Sequence, residues 1–197
     1  MFLCAGDQQK SQQLTLVLLG ESGSGKSASG NTILGMKVFT SKPSSMPVTT
    51  ECEMQTKSFC GTVVRVIDTP DFFDDTLEMQ SRDILTCRKL CEGGLCVYLL
   101  VIQIGRFTEG EIGILERLEK ALETTVRDRA IILFTNGDDL KSKIDDFVRN
   151  TNRFLQQVID KCSGRYQVID SPRREAEKQV KELMGKIADL VQKTDKV

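Results

Sequence analysis

The sequence predicts an α/β domain of three layers, in which a mostly parallel six-stranded sheet carries helices on both faces. Two observations predict it. Short, nearly all-apolar runs alternate with amphipathic segments of helical spacing, and the runs have the length of strands buried on both faces. The 197 residues, 40% apolar and 28% charged, suffice for one well-buried domain. We expect a flexible segment at 1–12, a single domain at 13–193 and a tail at 194–197.

The predicted strands are the apolar runs that end in turn residues. They cover residues 14–19, 51–59, 63–67, 95–102, 130–134 and 166–169. The segment 51–59 alternates only weakly between apolar and polar residues, and we expect it to be an edge strand.

The predicted helices lie between these strands. One follows the first strand from Lys26 to Gly35, and residues 37–50 then form a loop. Residues 74–90 begin irregularly and become helical. Apolar residues recur at helical spacing within 109–122 and 144–159, and a final helix begins near Pro172.

The charge balance and the apolar runs limit the classes of partner. Lys and Arg number 27 against 28 Asp and Glu, without the basic excess of a nucleic-acid binder, so we expect no nucleic-acid partner. The longest apolar run, 95–102, is too short to cross a bilayer, and residues 1–6 lack the pattern of a signal peptide. We therefore expect no membrane insertion by this segment and a cytoplasmic location.

The seven cysteines suggest reduced thiols, because the opening residues do not predict a signal peptide. Cys87 and Cys91 can share a helical face, with Cys96 nearby. A metal site would need a fourth ligand in a chain without histidine. Buried thiols that pack as small apolar residues are the favoured interpretation.

A phosphate-binding motif follows the first strand. Its residues are Gly20, Glu21, Ser22, Gly23, Ser24, Gly25, Lys26 and Ser27, in the pattern G-x-x-x-x-G-K-[ST]. The backbone N–H groups of such a loop form a nest for phosphate oxygens, at the positive end of a helix dipole. We expect Lys26 to neutralise the β and γ phosphates and Ser27 to hold Mg²⁺. The alternative is a glycine-rich turn without a ligand, but the position between strand and helix favours phosphate.

Two strand ends carry carboxylates that fit this hypothesis. Asp68, at the end of the strand 63–67, can hold Mg²⁺ directly or through water, although an aspartate there can also be a turn former. Asp138 lies in the polar turn after the strand 130–134, at the edge where ligands bind. A carboxylate at that position accepts from both N1–H and the exocyclic amine of guanine, so GTP or GDP is the expected ligand.

Together the motifs resemble the GIMAP family of immunity-associated GTPases, relatives of septins and chloroplast import GTPases. The resemblance covers residues 14–190. It rests on the stretches 19–28 and 30–35, on Asp68-Thr69-Pro70, and on 99–101 with the box Gly105-Arg106-Phe107-Thr108. It implies a P-loop NTPase fold of the Ras-like G-domain type.

The resemblance also implies roles for particular residues. Ala28 belongs to the nucleotide-binding stretch, and Thr49, with Thr50 as the fallback, matches the switch threonine that reaches Mg²⁺. Arg106 matches an arginine that acts toward the facing nucleotide in a homodimer; the alternative is a surface residue that caps the next helix. Four further positions are implied to contact the base: Thr135, Asp138, Asp170 and Ser171. The family tends to have asparagines at the last two.

Asp71 departs from the family pattern, which has glycine after Asp-Thr-Pro. A second carboxylate beside an anionic site repels phosphate, and no glutamine stands in 71–73 to orient water. We therefore expect slow hydrolysis and weak triphosphate discrimination, or a displaced switch. Much tighter binding of a non-hydrolysable GTP analogue than of GDP would contradict this.

Three functions remain open from the sequence. The leading one is a regulatory GTP-binding protein that dimerises through its nucleotide face and hydrolyses GTP slowly, faster in the dimer. The second is a GTP- or GDP-binding scaffold without useful hydrolysis, which Asp71 favours. The third is a small-molecule kinase, for which we see neither an arginine-rich lid nor a second substrate pocket.

Overall fold

The computed structural model describes most of the chain between residues 13 and 194. The described ranges are 13–41, 49–59, 61–72, 77–91, 95–107, 111, 113–140, 143–169 and 173–194. The predicted terminal segment 1–12 and two predicted base-contacting residues, Asp170 and Ser171, lie outside them.

The six-stranded sheet has the strand order β2-β3-β1-β4-β5-β6. Only β2 runs antiparallel to its neighbour, while the other pairs are parallel. The strands are β1 Gln13–Leu19, β2 Glu53–Phe59, β3 Thr62–Asp68, β4 Leu95–Gln103, β5 Ala130–Thr135 and β6 Tyr166–Val168. The predicted mostly parallel sheet is confirmed, and the weakly alternating β2 forms one edge.

Helices cover both faces of the sheet and complete the three layers. They are α1 Lys26–Leu34, α2 Leu77–Cys91, α3 Ile114–Leu122, α4 Ile144–Asn150, α5 Arg153–Lys161 and α6 Arg173–Thr194. Strand residues alternate between two cores: Leu16 and Leu18 of β1 pack with α1 and α6, while Val17 and Leu19 pack with helices from α2 to α5. The predicted fold class is therefore confirmed.

Two helix boundaries differ from the sequence prediction. The single helix predicted over 144–159 is two helices, because Thr151 and Asn152 have extended backbone angles between α4 and α5. The Asn152 side chain caps α5 by accepting from the N–H groups of Phe154 and Leu155. The helix predicted over 109–122 begins as α3 only at Ile114, since Gly113 has a φ of 74°.

The described cysteines all carry free thiols. Cys87, Cys96 and Cys162 are buried among apolar residues, whereas Cys52 and Cys91 are partly exposed. In the described part of the chain no group of three or more Cys, His, Asp or Glu residues is placed to hold a metal ion. The buried thiols pack as small apolar side chains.

A side-chain clamp ties the segment after α1 to the helix. Asn31 Oδ1 accepts from the N–H groups of Val38 and Phe39, each at 2.8 Å, and its Nδ2 donates to the Phe39 carbonyl at 2.8 Å. The Phe39 ring lies over Gly30, where a Cβ would stand only 2.8 Å from two ring carbons. The chain is thus fixed to α1 as far as Phe39.

No helix among the described residues is both long enough and apolar enough to span a bilayer.

Candidate nucleotide site

The predicted site residues gather at one edge of the sheet. Because β1, β3, β4 and β5 are mutually parallel, their carboxyl ends meet there. The loop 20–25 follows β1, Asp68 ends β3, Arg106 follows β4 and Thr135 ends β5. This edge is where an open α/β sheet binds ligands.

The loop between β1 and α1 folds around a buried lysine. Lys26 is only 6% exposed, and its Nζ donates to the carbonyls of Gly20 at 2.8 Å and Glu21 at 2.9 Å. Gly20 has a φ of 150°, and a Cβ there would lie 2.5 Å from the Val101 carbonyl oxygen. The chain can pass β4 this closely only because residue 20 is glycine.

Thr135 joins the loop to β5. Its hydroxyl donates to the Ser24 carbonyl at 2.7 Å, and its side chain lies 3.1 Å from where a Cβ on Gly25 would stand. The resemblance implies that Thr135 contacts the base. In the structure its hydroxyl is bonded to the phosphate loop, and the base contact stays a prediction. Thr135 therefore connects the loop 20–25 to the carboxyl end of β5.

Three oxygen-bearing side chains converge at the start of α1. Ser27 Oγ donates to Asp68 Oδ2 at 2.5 Å, and Thr49 Oγ1 lies 3.2 Å from Ser27 Oγ and 3.3 Å from Asp68 Oδ2. The structure thus brings Thr49 into the site, whereas Thr50 is exposed. The second oxygen of Asp68, Oδ1, is buried without a hydrogen-bond partner. Two hydroxyls and one carboxylate, of which one oxygen has no partner, fit Mg²⁺, which prefers oxygen ligands.

Burial shifts the pKa values of Lys26 and Asp68 in opposite directions. Desolvation lowers the pKa of Lys26, and the carboxylates of Asp71, Asp68 and Glu21 oppose that shift. Desolvation raises the pKa of Asp68, against the hydrogen bond from Ser27 and the charge of Lys26. An additional cation beside Asp68, and an additional anion beside Lys26, would stabilise both charged forms.

Asp71 contacts the phosphate loop directly. The Ser22 N–H donates to Asp71 Oδ2 at 2.6 Å across 49 residues of sequence. The sequence predicted a second carboxylate near the site, but gave no sign of this bond. Thr69, two residues earlier, was also missed: its hydroxyl donates to the Leu18 carbonyl at 2.6 Å and anchors the segment to β1.

Arg106 lies on the same face as the loop. Its Nη1 is 3.3 Å from the position that a Cβ on Gly23 would occupy, and the residue as a whole is exposed. The structure therefore places this arginine beside the phosphate loop of its own chain.

The turn after β5 carries the predicted base-contacting carboxylate. Asn136 adopts the left-handed conformation with φ 58°, and residues 137–139 form one 3-10 turn closed by a Leu140 N–H bond to the Gly137 carbonyl at 2.9 Å. Asp138 is exposed at this turn. The structure brings Asp138 to the same sheet edge as Lys26, while the predicted partners Asp170 and Ser171 lie outside the described residues.

Fold and site together define a P-loop α/β protein of the G-domain type. Residues 14–197 match the AIG1 family, and the chain belongs to that family. It is 37% identical over 194 residues to GTPase IMAP family member 8 of Mus musculus, covering 94% of this chain and 28% of that protein. Immune-associated nucleotide-binding protein 4 of Arabidopsis thaliana is 34% identical over 183 residues, or 89% of this chain and 56% of that protein. The predicted resemblance to the GIMAP family is confirmed.

Solved structures agree with the fold. Toc33 from Arabidopsis thaliana in complex with Mg²⁺ and GMPPNP has a TM-score of 0.69 at 16% identity, covering 94% of this chain and 87% of that chain. Era in complex with MgGDPNP and 16S ribosomal RNA nucleotides has a TM-score of 0.68 at 16% identity, covering 91% of this chain and 57% of that chain. The chain spans between about a quarter and two thirds of the curated relatives' lengths, from 28% to 64%.

Proposed function

We propose that this chain binds guanine nucleotide, GTP or GDP, together with Mg²⁺, and that the bound nucleotide controls its self-association. One observation carries the proposal: the buried Lys26 and the loop around it adjoin the convergent oxygens of Ser27, Thr49 and Asp68. Family membership supports it, and so do the nucleotide complexes of the fold neighbours. We further propose a single domain over residues 13–193 and, because the described cysteines are unpaired, a cytoplasmic location.

Each group has a task in this proposal. The loop amides and Lys26 bind phosphate oxygens, and Ala28, partly buried in α1, lies beside them. Ser27, Thr49 and Asp68 hold Mg²⁺, which neutralises phosphate charge when bound. Asp138 accepts from the guanine N1–H and amine, and Asp170 and Ser171 remain proposed neighbours of the base.

The proposed hydrolysis is slow and depends on a homodimer formed through the nucleotide face. Arg106 supports this part, because an exposed guanidinium beside the phosphate loop can approach a facing nucleotide. For the fold neighbours atToc33 and psToc159, dimerization is important for the GTPase activity. The bond between Asp71 and Ser22 favours the alternative, a GTP- or GDP-binding scaffold without useful hydrolysis.

The first experiment identifies the nucleotide. Protein purified without added nucleotide is denatured, the released ligand is separated by chromatography, and affinities for GDP, GTP and ATP are measured with and without Mg²⁺. We expect guanine nucleotide and tighter binding with Mg²⁺. Equal affinity for ATP would reject the guanine assignment, and no binding of any nucleotide would reject the proposed function.

A second experiment tests Arg106. GTP turnover per molecule is measured over a range of protein concentrations for the wild type, for Arg106→Ala and for Arg117→Ala, a control on the exposed side of α3. The dimer hypothesis expects turnover to rise with concentration in the wild type and the control but not in Arg106→Ala. A measurable rate that stays flat with concentration in the wild type would reject the dimer hypothesis, and turnover near zero in all three proteins at every concentration would support the scaffold. An Arg106→Ala loss that is equal at every concentration would indicate action within one chain.

A further inference from the structure

One backbone amide of the phosphate loop, that of Ser22, is already bonded to a carboxylate of the same chain. Ser22 N–H donates to Asp71 Oδ2 at 2.6 Å, a short charge-assisted bond. An N–H group makes one strong hydrogen bond at a time, so an anionic oxygen from a ligand must displace the carboxylate to use this donor.

The carboxylate also lies in the field of the loop's lysine. Its negative charge lies close enough to Lys26 to favour the charged form of that side chain. Lys26 Nζ meanwhile holds the carbonyls of Gly20 and Glu21. Asp71 therefore supplies, from within the protein, both a negative charge and an acceptor oxygen at the loop.

Asp71 is held in place from both sides. The Thr69 hydroxyl is bonded to the Leu18 carbonyl at 2.6 Å, and Phe72 is buried in the core between the sheet and α2–α5. The backbone at residue 71 is fixed between these anchors, so the carboxylate leaves the loop only by a rotation of its own side chain or by breaking an anchor.

We propose that Asp71 is a specificity-determining residue whose carboxylate takes the place of a terminal phosphate, so that the site prefers a nucleoside diphosphate to a triphosphate. The inference rests on the proposed function, because it concerns the same loop. A diphosphate leaves the Ser22 amide to Asp71. A triphosphate must displace Asp71 or accept a like charge beside its terminal group, and either costs affinity.

The test compares affinities for GDP and for the non-hydrolysable analogue GMPPNP, by calorimetry in the presence of Mg²⁺. The proteins are the wild type, Asp71→Asn, Asp71→Gly and Asp128→Asn. Asparagine keeps an acceptor oxygen for Ser22 without the charge, and glycine removes both. Asp128 is exposed on the 3-10 turn before β5, so its substitution makes the same charge change outside the site.

We expect the wild type and Asp128→Asn to bind GDP more tightly than GMPPNP. Both Asp71 variants should shift the ratio toward GMPPNP by about tenfold to a hundredfold, with GDP affinity within about threefold of the wild type. Two Asp71 variants are used so that the test still stands if one of them misfolds. An unchanged affinity for GDP would show that the phosphate loop of a variant is intact.

Three results would overturn the inference. One is an unchanged ratio in both Asp71 variants with GDP still bound, which would leave the proposed function standing. Another is an equal loss of GDP and GMPPNP, which would make Asp71 only a support of the loop. The third is a wild type that binds no GDP, which would reject the proposed function and the inference together.

Discussion

The phosphate end and the base end of the candidate site are built in different ways. At the phosphate end, Ser24, Lys26 and Asp68 are all buried, and the loop is bonded to β5 through Thr135. At the base end, Asp138 is an exposed side chain on a short turn. The phosphate end is therefore part of the folded core, and damage there should affect stability as well as binding. The proposed base contact of Asp138 is made by an exposed side chain, so its substitution should affect specificity and leave stability unchanged.

The largest expected effect is on stability, from Gly20→Ala. The new Cβ would stand 2.5 Å from the Val101 carbonyl at a φ that side chains rarely adopt, so the free energy of unfolding should fall by about 3 kcal/mol or more. Urea unfolding measures it. The control is Gly185→Ala in α6, where nothing lies within 4 Å and a gain of about 0.5–1 kcal/mol is expected. Equal effects of the two substitutions would show that the loop is not tied to the core.

The next effect is on affinity, from Lys26→Ala. Removing the buried ammonium leaves the phosphate charge without its partner, and GDP affinity should fall by about a hundredfold. Calorimetry measures the loss, with Lys120→Ala on the exposed side of α3 as the control. Affinity within threefold of the wild type would mean that Lys26 does not bind phosphate.

A smaller effect is expected at the base end, from Asp138→Asn. The wild type should bind GDP about tenfold more tightly than inosine diphosphate, which lacks the exocyclic amine, and the variant should lose this preference. Its free energy of unfolding should not change, because Asp138 is exposed. Asp160→Asn, exposed on α5, is the control. A variant that keeps the preference would place base recognition elsewhere.

The smallest effect lies away from both ends, at Glu119. Its carboxylate accepts from the N–H groups of Val126 and Arg127 and from the Arg127 guanidinium, and the hydrogen bond from that guanidinium is the main cause of its lowered pKa. A carboxyl whose pKa is lowered in the folded state stabilises the protein at a pH above its ordinary pKa, which is near 4.5. This stabilisation is lost as the pH falls through the pKa of the folded state. Glu119→Gln should therefore destabilise the protein at pH 7 by about 1 kcal/mol, and less at pH 3. GDP affinity at pH 7 should not change; a loss of affinity would mean that the site is coupled to α3.

The features that could be predicted from the sequence are those that depend on contiguous residues. The buried strands β1, β4 and β5 are uninterrupted apolar runs, and the phosphate loop needs fixed residue types at fixed spacing. Apolar spacing did not reveal the break at Asn152, because the periodicity continues through Phe147 and Phe154 across it.

Contacts between distant segments were not predictable in the same way. The bond from Ser22 to Asp71 spans 49 residues, and the bond from Thr135 to Ser24 spans 111. Each bond depends on the order of the strands in the sheet and on where each strand ends. Neither property can be read from a local stretch of sequence. Thr49 was predicted only through the family resemblance, since a threonine in a polar loop carries no signal of its own.

The clamp formed by Asn31 has a mechanical consequence. Its three bonds hold Val38 and Phe39 to the same helix whose first turn carries Lys26 and Ser27. Asn31→Ala would therefore release residues 38 and 39 from α1 without altering any residue that is proposed to contact the ligand.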